Sequence, residues 1–278
     1  ACLLRMPPMI TPMTEPFSGT LTGRLFILSC AFVLLGLALS IAPFNQEAML
    51  FLNGWGRSSE PLWSITTQFG EGGVALLLLL VLTRWTPHGQ SLALKTFLLG
   101  ALISPALKLL FSHPRPLSVL DPSVLNVIGQ PITSANAMPS GHSLTAVACM
   151  TLLMLCLPKA HRLTPWGYWG LGLLAALAAL SRVMVGAHWP SDVLAGAGFG
   201  GLVVWLALQW EQRQTWQPLL QTRVGQASLL MAELALVFYV LTANTHTIHE
   251  QWANDLIATL GLAGFFSHWR DHRRKSFA

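Results

Sequence analysis

Apolar residues gather along this chain into eight stretches, at 24–43, 62–83, 92–111, 143–158, 166–185, 192–210, 226–243 and 252–268. Each is long enough, or nearly so, for a helix of about 20 residues, the length that crosses the hydrocarbon core of a bilayer. Short polar runs separate them. The pattern predicts an all-α fold, a polytopic membrane helix bundle of about eight transmembrane helices. The first stretch follows a polar, Pro-rich tail and runs too long for the apolar region of a signal peptide, so it is expected to stay as a span.

Composition agrees. Charged residues make up 10% of the 278 positions and hydrophobic residues 53%, with a mean hydropathy of +0.55. A soluble globular chain carries about 25% charge, so this one cannot cover a water-facing body of its size. The apolar content excludes a disordered chain. The 23 glycines show no three-residue period, which excludes a collagen-like chain. Four cysteines over the whole length exclude a disulfide-built secreted domain. Cys2 lies in the tail and Cys30 in an apolar run, while Cys149 and Cys156 share one helix face. All are expected to be inert thiols.

Charge gives the orientation. With eight spans, Arg5, Arg24, Arg84, Lys95, Lys159, Arg162, Arg213, Arg223, Arg270, Arg273, Arg274 and Lys275 fall on one face, twelve of the sixteen basic residues. Arg57, Lys108, Arg115 and Arg182 fall on the other. The positive-inside rule then places both termini in the cytoplasm. The basic excess is topological, and no basic domain stands outside the membrane to bind nucleic acid. The cluster from Trp269 to Lys275 is expected to meet anionic lipid headgroups.

Lys108, Arg115 and Arg182 stand near helix ends on the charge-poor face, where a charge in or near the membrane points to function. Three sequence blocks surround them. Lys108-x6-Arg115-Pro116 closes the third span. Pro139-Ser140-Gly141-His142 precedes the fourth. Ser181-Arg182-x5-His188-x3-Asp192 joins the fifth to the sixth. Two guanidiniums and an ammonium converging on one point make a dianion site, with Arg supplying planar paired donors and Lys a point charge. Ser140 and Gly141 open a helix, where backbone N–H groups bind anions and glycine allows close approach. Such donors suit the equatorial oxygens of a phosphoryl group in transfer. Pro190 fits a first helical turn, which brings Asp192 within reach of the His188 ring. A carboxylate on one ring nitrogen fixes the tautomer and leaves the other free to attack. His188 is thus the candidate nucleophile, passing through a phosphohistidine. His142 is the candidate acid for the leaving oxygen.

These three ordered blocks resemble the signature of the type-2 phosphatidic acid phosphatase superfamily, without departure in any block, over residues from about 90 to 210. The resemblance implies a six-helix membrane core with an outward-facing active site. It implies catalytic His188, His142 and Asp192, and phosphate ligands Lys108, Arg115, Ser140, Gly141 and Arg182. No metal and no cofactor are implied. The chain then divides into a cytoplasmic tail at 1–23, a six-span phosphatase core at 24–210, two further spans at 211–268 and a basic cytoplasmic tail at 269–278. The resemblance says nothing of the last two spans. The expected substrate is a membrane lipid phosphate or pyrophosphate, undecaprenyl pyrophosphate first, then phosphatidylglycerol phosphate, phosphatidic acid and lipid A phosphate. The expected place is a bacterial inner membrane, with the site facing the periplasm. Three alternatives stand beside hydrolysis: phosphate transfer to a second lipid such as lipid A, a vanadium haloperoxidase-like protein, and a transporter. The eight spans argue against the second, and the lack of an inverted pair of broken helices against the third.

Other polar positions have a plainer reading beside a functional one. Ser181 either bonds locally or touches phosphate. His246, His249 and Glu250 have two of the spacings of a zinc site but no evident further ligands, so a polar interfacial loop is expected. Glu233, inside the seventh span, is expected to bond to a neighbouring helix. Glu71, beside Gly72 and Gly73 on the active face, stands where it can touch substrate or a lysine of the site. Gly196, Gly198, Gly200 and Gly201 are expected to allow close helix contact. Trp55, Trp85, Trp166 and Trp189 are expected to mark the interfacial belts.

Overall fold

The computed structural model describes residues 19–161 and 163–276, and every regular element among them is helical. Cys2, Arg5, Arg162 and most of the expected N-terminal tail lie outside the described residues. In chain order the helices are α1 (Gly19–Ser40), α2 (Phe44–Gly56), α3 (Glu60–Gln68), α4 (Gly72–Thr83), α5 (Gly89–Phe111), α6 (Pro116–Val119), α7 (Gly141–His161), α8 (Pro165–Met184), α9 (Pro190–Arg213), α10 (Gln217–Leu220), α11 (Arg223–Thr242) and α12 (Ile248–Ser276). A single 3-10 turn, Pro122–Val124, interrupts the long connection between α6 and α7.

Local chemistry sets the starts. The Thr164 hydroxyl accepts from Gly167 N–H ahead of α8, and the Thr222 hydroxyl from Gly225 N–H ahead of α11. Pro165 and Pro190 fill first-turn positions whose N–H would be unpaired. The end of α5 is a left-handed turn at Ser112, with φ of 43° and its N–H donated to the Lys108 carbonyl. Pro114 and Pro116 follow and prevent the helix from continuing.

α9 is the central element. Its glycines carry no Cβ because neighbouring backbones occupy that space. A Cβ on Gly198 would stand 2.6 Å from the Ser29 carbonyl of α1, and one on Gly200 2.5 Å from the Leu144 carbonyl of α7. The expected close contact is therefore made on both faces of α9 at once, α1 on one and α7 on the other. Leu80, Leu92, Met150, Leu152 and Leu208 fill the interior between α4, α5, α7 and α9, each essentially fully buried. At one end of the bundle, buried Lys95 of α5 pairs with buried Glu211 of α9 and donates to the Gln214 carbonyl, with Ser91 also donating to Glu211. Beyond the core, α11 and α12 form a pair that rests on α4. Gly261 and Gly264 of α12 lie against Leu77 and Val81.

Among the described residues five helices meet the demands of length and apolar composition for a span, and a bent pair makes a sixth if it is counted as one, where eight were expected. Five are single helices, lying within Gly19–Ser40, Gly89–Val119, Pro165–Met184, Pro190–Arg213 and Arg223–Thr242. The sixth, expected as one helix at 62–83, is broken into α3 and α4, bent by 62°. The break is built into Phe69-Gly70-Glu71-Gly72. A Cβ on Gly70 would stand 2.8 Å from His142 Cβ, and the Glu71 carboxylate caps the new helix by accepting from Gly73 N–H at 2.6 Å. The apolar part of α7, Gly141–Leu157, is shorter than a full span, and α12 carries too many polar residues along its length. α1 begins at Gly19 rather than 24, and α12 runs on as helix through the basic cluster at 269–276. One further feature was not anticipated. Helix α2 docks by its asparagines: Asn53 donates to the carbonyls of Asn126, Val183 and Met184 and accepts from Asn126 N–H, while Asn45 donates to Ser191.

Several polar residues have structural partners. Glu233 accepts from His268 of α12 at 3.0 Å, and the Ser181 hydroxyl donates to the Ala178 carbonyl at 2.7 Å. Among the described residues Cys30, Cys149 and Cys156 form no disulfide.

Candidate active site

The end of α5, the start of α7, the end of α8 and the start of α9 meet at one end of the bundle, opposite the Lys95–Glu211 pair. This follows from alternating chain direction. It is also why three blocks separated in sequence share one small volume.

Asp192 lies in the first turn of α9 and is fully buried. Its Oδ2 accepts from Trp189 N–H at 3.0 Å and faces His188 Nδ1 at 3.3 Å. Its Oδ1 faces His113 Nδ1 at 2.9 Å. On the far side of the His188 ring, Arg115 Nη1 stands 3.0 Å from Nε2. A guanidinium only donates, so Nε2 is the acceptor and the ring proton sits on Nδ1, facing Asp192. The structure thus leaves His188 with its Nε2 lone pair pointing at the Arg115 guanidinium. Burial lowers the His188 pKa to about 4; Asp192 opposes this, and Arg115 and Arg182 add to it.

Arg182 and Lys108 stand near Arg115. Arg115 is 6% exposed and is braced by Ser134 Oγ at 2.9 Å and by the Ala187 carbonyl at 2.8 Å. Arg182 is 7% exposed; its Nη1 donates to Thr67 Oγ1 at 2.7 Å, and its Nε has no partner among the described residues. The Lys108 ammonium makes no hydrogen bond among the described residues, and its Nζ lies 3.9 Å from where a Cβ on Gly141 would be. That Cβ would also stand 3.4 Å from Ser104 Oγ, in ordinary contact, so Ser104 and Lys108 face the start of α7 here. Ser140 ties α7 to α9: its N–H donates to the Asp192 carbonyl at 3.0 Å, and its hydroxyl accepts from the Ser143 hydroxyl at 2.9 Å. A Cβ on the facing Gly196 would stand 2.5 Å from the Ser140 carbonyl, so the glycine of α9 is what lets this loop settle.

His142 stands at the mouth of two cavities. One, of about 300 Å³, is apolar, runs between α4, α5 and α7 along Leu76, Leu79, Phe97 and Leu144, and ends at Gly141 and His142. The other, of about 460 Å³, is polar and extends from His142 and Arg182 toward α11 and α12.

All eight residues singled out from the sequence gather here. His113, Ser134 and Thr67 were missed. His113 lay inside the first block, between Lys108 and Arg115, but its pairing with Asp192 spans 79 positions and has no local signal. Glu71 touches no lysine of the site; beyond its cap it accepts from the Tyr239 hydroxyl at 3.0 Å. His246 and His249 do not form a ligand set. Glu250 accepts from His246 N–H, and the His249 ring lies against Trp252. Among the described residues no three His, Cys, Asp or Glu side chains are grouped to hold a metal ion.

The sequence model of the PAP2 superfamily matches residues 89–216, the segment that supplies every one of the eight. The chain is 32% identical over 174 residues to an undecaprenyl-diphosphatase of Sulfolobus acidocaldarius, covering 60% of this chain and 74% of the relative. It is 43% identical over 75 residues to a lipid A 1-phosphatase of Porphyromonas gingivalis, a stretch that is 26% of this chain and only 15% of that protein. The fold is similar to that in the crystal structure of Aquifex aeolicus LpxE, with a TM-score of 0.53 and 23% identity, covering 61% of this chain and 98% of the other. By its fold and its relatives, the chain belongs to the PAP2 superfamily and is an integral-membrane lipid phosphatase.

Proposed function

We propose that this protein removes phosphate from a lipid phosphate or diphosphate at the outer face of the membrane by way of a phosphohistidine. One observation carries the reading: His188 is held between Asp192 on Nδ1 and Arg115 on Nε2, so its basic nitrogen faces the place where cations would hold a phosphoryl group. Arg115, Arg182 and Lys108 bind the oxygens with the free N–H groups at the start of α7. Arg115 turns from Nε2 to the phosphate as it binds. His188 Nε2 then attacks phosphorus, and the bond to the lipid oxygen breaks. His142 protonates that oxygen. Asp192 holds the Nδ1 proton and stabilises the imidazolium that forms. In the second half, His142 takes a proton from water, the hydroxide attacks phosphorus, and the P–N bond breaks to release inorganic phosphate.

The apolar cavity lined by His142 supports a lipid rather than a soluble substrate, since a hydrocarbon tail lying along Leu76, Leu79 and Leu144 would leave the scissile oxygen near that histidine. Undecaprenyl diphosphate, after the name of the Sulfolobus relative, and lipid A 1-phosphate, after that of the Porphyromonas one, are the two substrates this reading puts first. The site is read as facing the periplasm or exterior, with both termini cytoplasmic.

The test is release of inorganic phosphate by purified protein in detergent from a panel of lipid phosphates, with acid-labile, base-stable phosphoenzyme trapped by rapid quench. Wild-type protein is expected to show both and His188→Ala neither. Phosphate release by wild type without any trapped phosphoenzyme, even with a slowly hydrolysed substrate, would remove the covalent step.

A further inference from the structure

The α11–α12 pair lies outside the PAP2 match, yet it walls the catalytic site. The polar cavity of about 460 Å³ has His142 and Arg182 on one side and Tyr239, His246, Glu250 and Asn254 on the other. Two polar side chains on that far wall are buried without full pairing. Asn254 is 2% exposed, and its Oδ1 accepts nothing among the described residues. Glu250 is 7% exposed; its Oε2 accepts from His246 N–H, while Oε1 has no hydrogen bond among the described residues. A buried acceptor left unpaired costs about 1–3 kcal/mol, so Asn254 Oδ1 asks for a donor from whatever fills the cavity, and Glu250 Oε1, which is not fully enclosed, can accept a second one.

The sign of the wall decides what that is. A second phosphate brings only acceptors and negative charge, and would face the Glu250 carboxylate. A hydroxyl brings a proton to each acceptor and no charge. The cavity also begins at His142, the residue read as protonating the leaving oxygen, so what lies in it is the group that carried the phosphate. We propose that Glu250 and Asn254 of α12 form a subsite that binds the hydroxyls of a polyol or sugar leaving group. By this subsite the protein prefers hydroxyl-bearing lipid phosphates to those whose phosphate sits directly on a hydrocarbon or on a second phosphate. The proposal rests on the phosphatase reading above and extends it to residues outside the family's segment.

The experiment uses two probes with the same tail, dodecyl phosphate and the 6-phosphate of dodecyl glucoside, and reads the ratio of their kcat/KM values by phosphate release. Wild-type protein is expected to favour the glucoside. Glu250→Gln and Asn254→Leu are each expected to lower that ratio about tenfold, the worth of one good hydrogen bond to a buried acceptor. A ratio unchanged in both variants, whatever happens to the absolute rates, overturns the subsite, and so does a wild-type preference for dodecyl phosphate. His188→Ala runs alongside. If wild type releases phosphate from neither probe, or His188→Ala does so as fast, it is the phosphatase reading that fails, and the subsite fails with it.

Discussion

His113 Nδ1 lies 2.9 Å from Asp192 Oδ1, closer than the His188 ring nitrogen that faces the other oxygen of the same carboxylate at 3.3 Å. The carboxylate is thus shared by two imidazoles, one buried beside Arg115 and one a quarter exposed at the end of α5. A carboxylate held from both sides cannot rotate away from His188 during the reaction.

His113 is therefore expected to act through Asp192 and not on substrate. His113→Ala should lower kcat about tenfold, the loss of one charge-assisted hydrogen bond, with KM little changed. His113→Asn, which keeps a donor, should recover part of the rate. A rise in KM at constant kcat would mean that His113 touches the substrate instead.

Burial with two nearby guanidiniums leaves His188 with a pKa of about 4, below the ordinary 6.5. Nitrogen-15 spectra of labelled protein, assigned by the signal lost in His188→Ala, should show a neutral ring protonated on Nδ1 from neutral pH down to about 5. Between about 6.5 and 4 the unfolded chain binds a proton that the folded site refuses, so stability should fall as pH falls through that window. Titration of the His188 ring near 6.5 would contradict both statements.

The two histidines should respond differently to the leaving group. His142→Ala loses only the proton donor, so it should be impaired about 10²–10⁴-fold on an alkyl phosphate and much less on a nitrophenyl ester, whose leaving oxygen needs little protonation. His188→Ala should be inactive on both. Rescue of His188→Ala by the activated ester would reverse the two roles.

Ser123 lies exposed in the connection between α6 and α7, at the same end of the bundle as the site. With the site on the outer face, Ser123→Cys should react with a membrane-impermeant thiol reagent in intact cells. Labelling only after permeabilisation would turn the protein over.

At the opposite end, Lys95 and Glu211 are both completely enclosed. Glu211→Ala strands a buried ammonium and should cost about 3–5 kcal/mol, read as a lower Tm in detergent. Joint replacement by Lys95→Met and Glu211→Leu should recover most of the loss. Equal destabilisation by the single and double changes would show that the charges do not depend on each other.

The all-helical membrane architecture and the residues that gather at the candidate site were readable from the chain alone. Apolar stretches near 20 residues specify spans because a bilayer leaves the backbone no partner but itself. Lys108, Arg115, Ser140, Gly141, His142, Arg182, His188 and Asp192 were legible because each block sits at a helix end, and alternating helix direction brings such ends together. Hydropathy could not show that the second span breaks, because Gly70 and Glu71 are interrupted for a tertiary reason: one backbone lies on His142 and one side chain caps the next helix. It could not show α2 docking through Asn53, the sharing of Asp192 with His113, or the approach of α12 to Arg182 across the polar cavity. These pairings join positions far apart in the chain. They depend on which faces of the helices meet, and that is fixed by side-chain volume at the glycine contacts of α9, α4 and α12, a property of the assembled bundle that no local pattern carries.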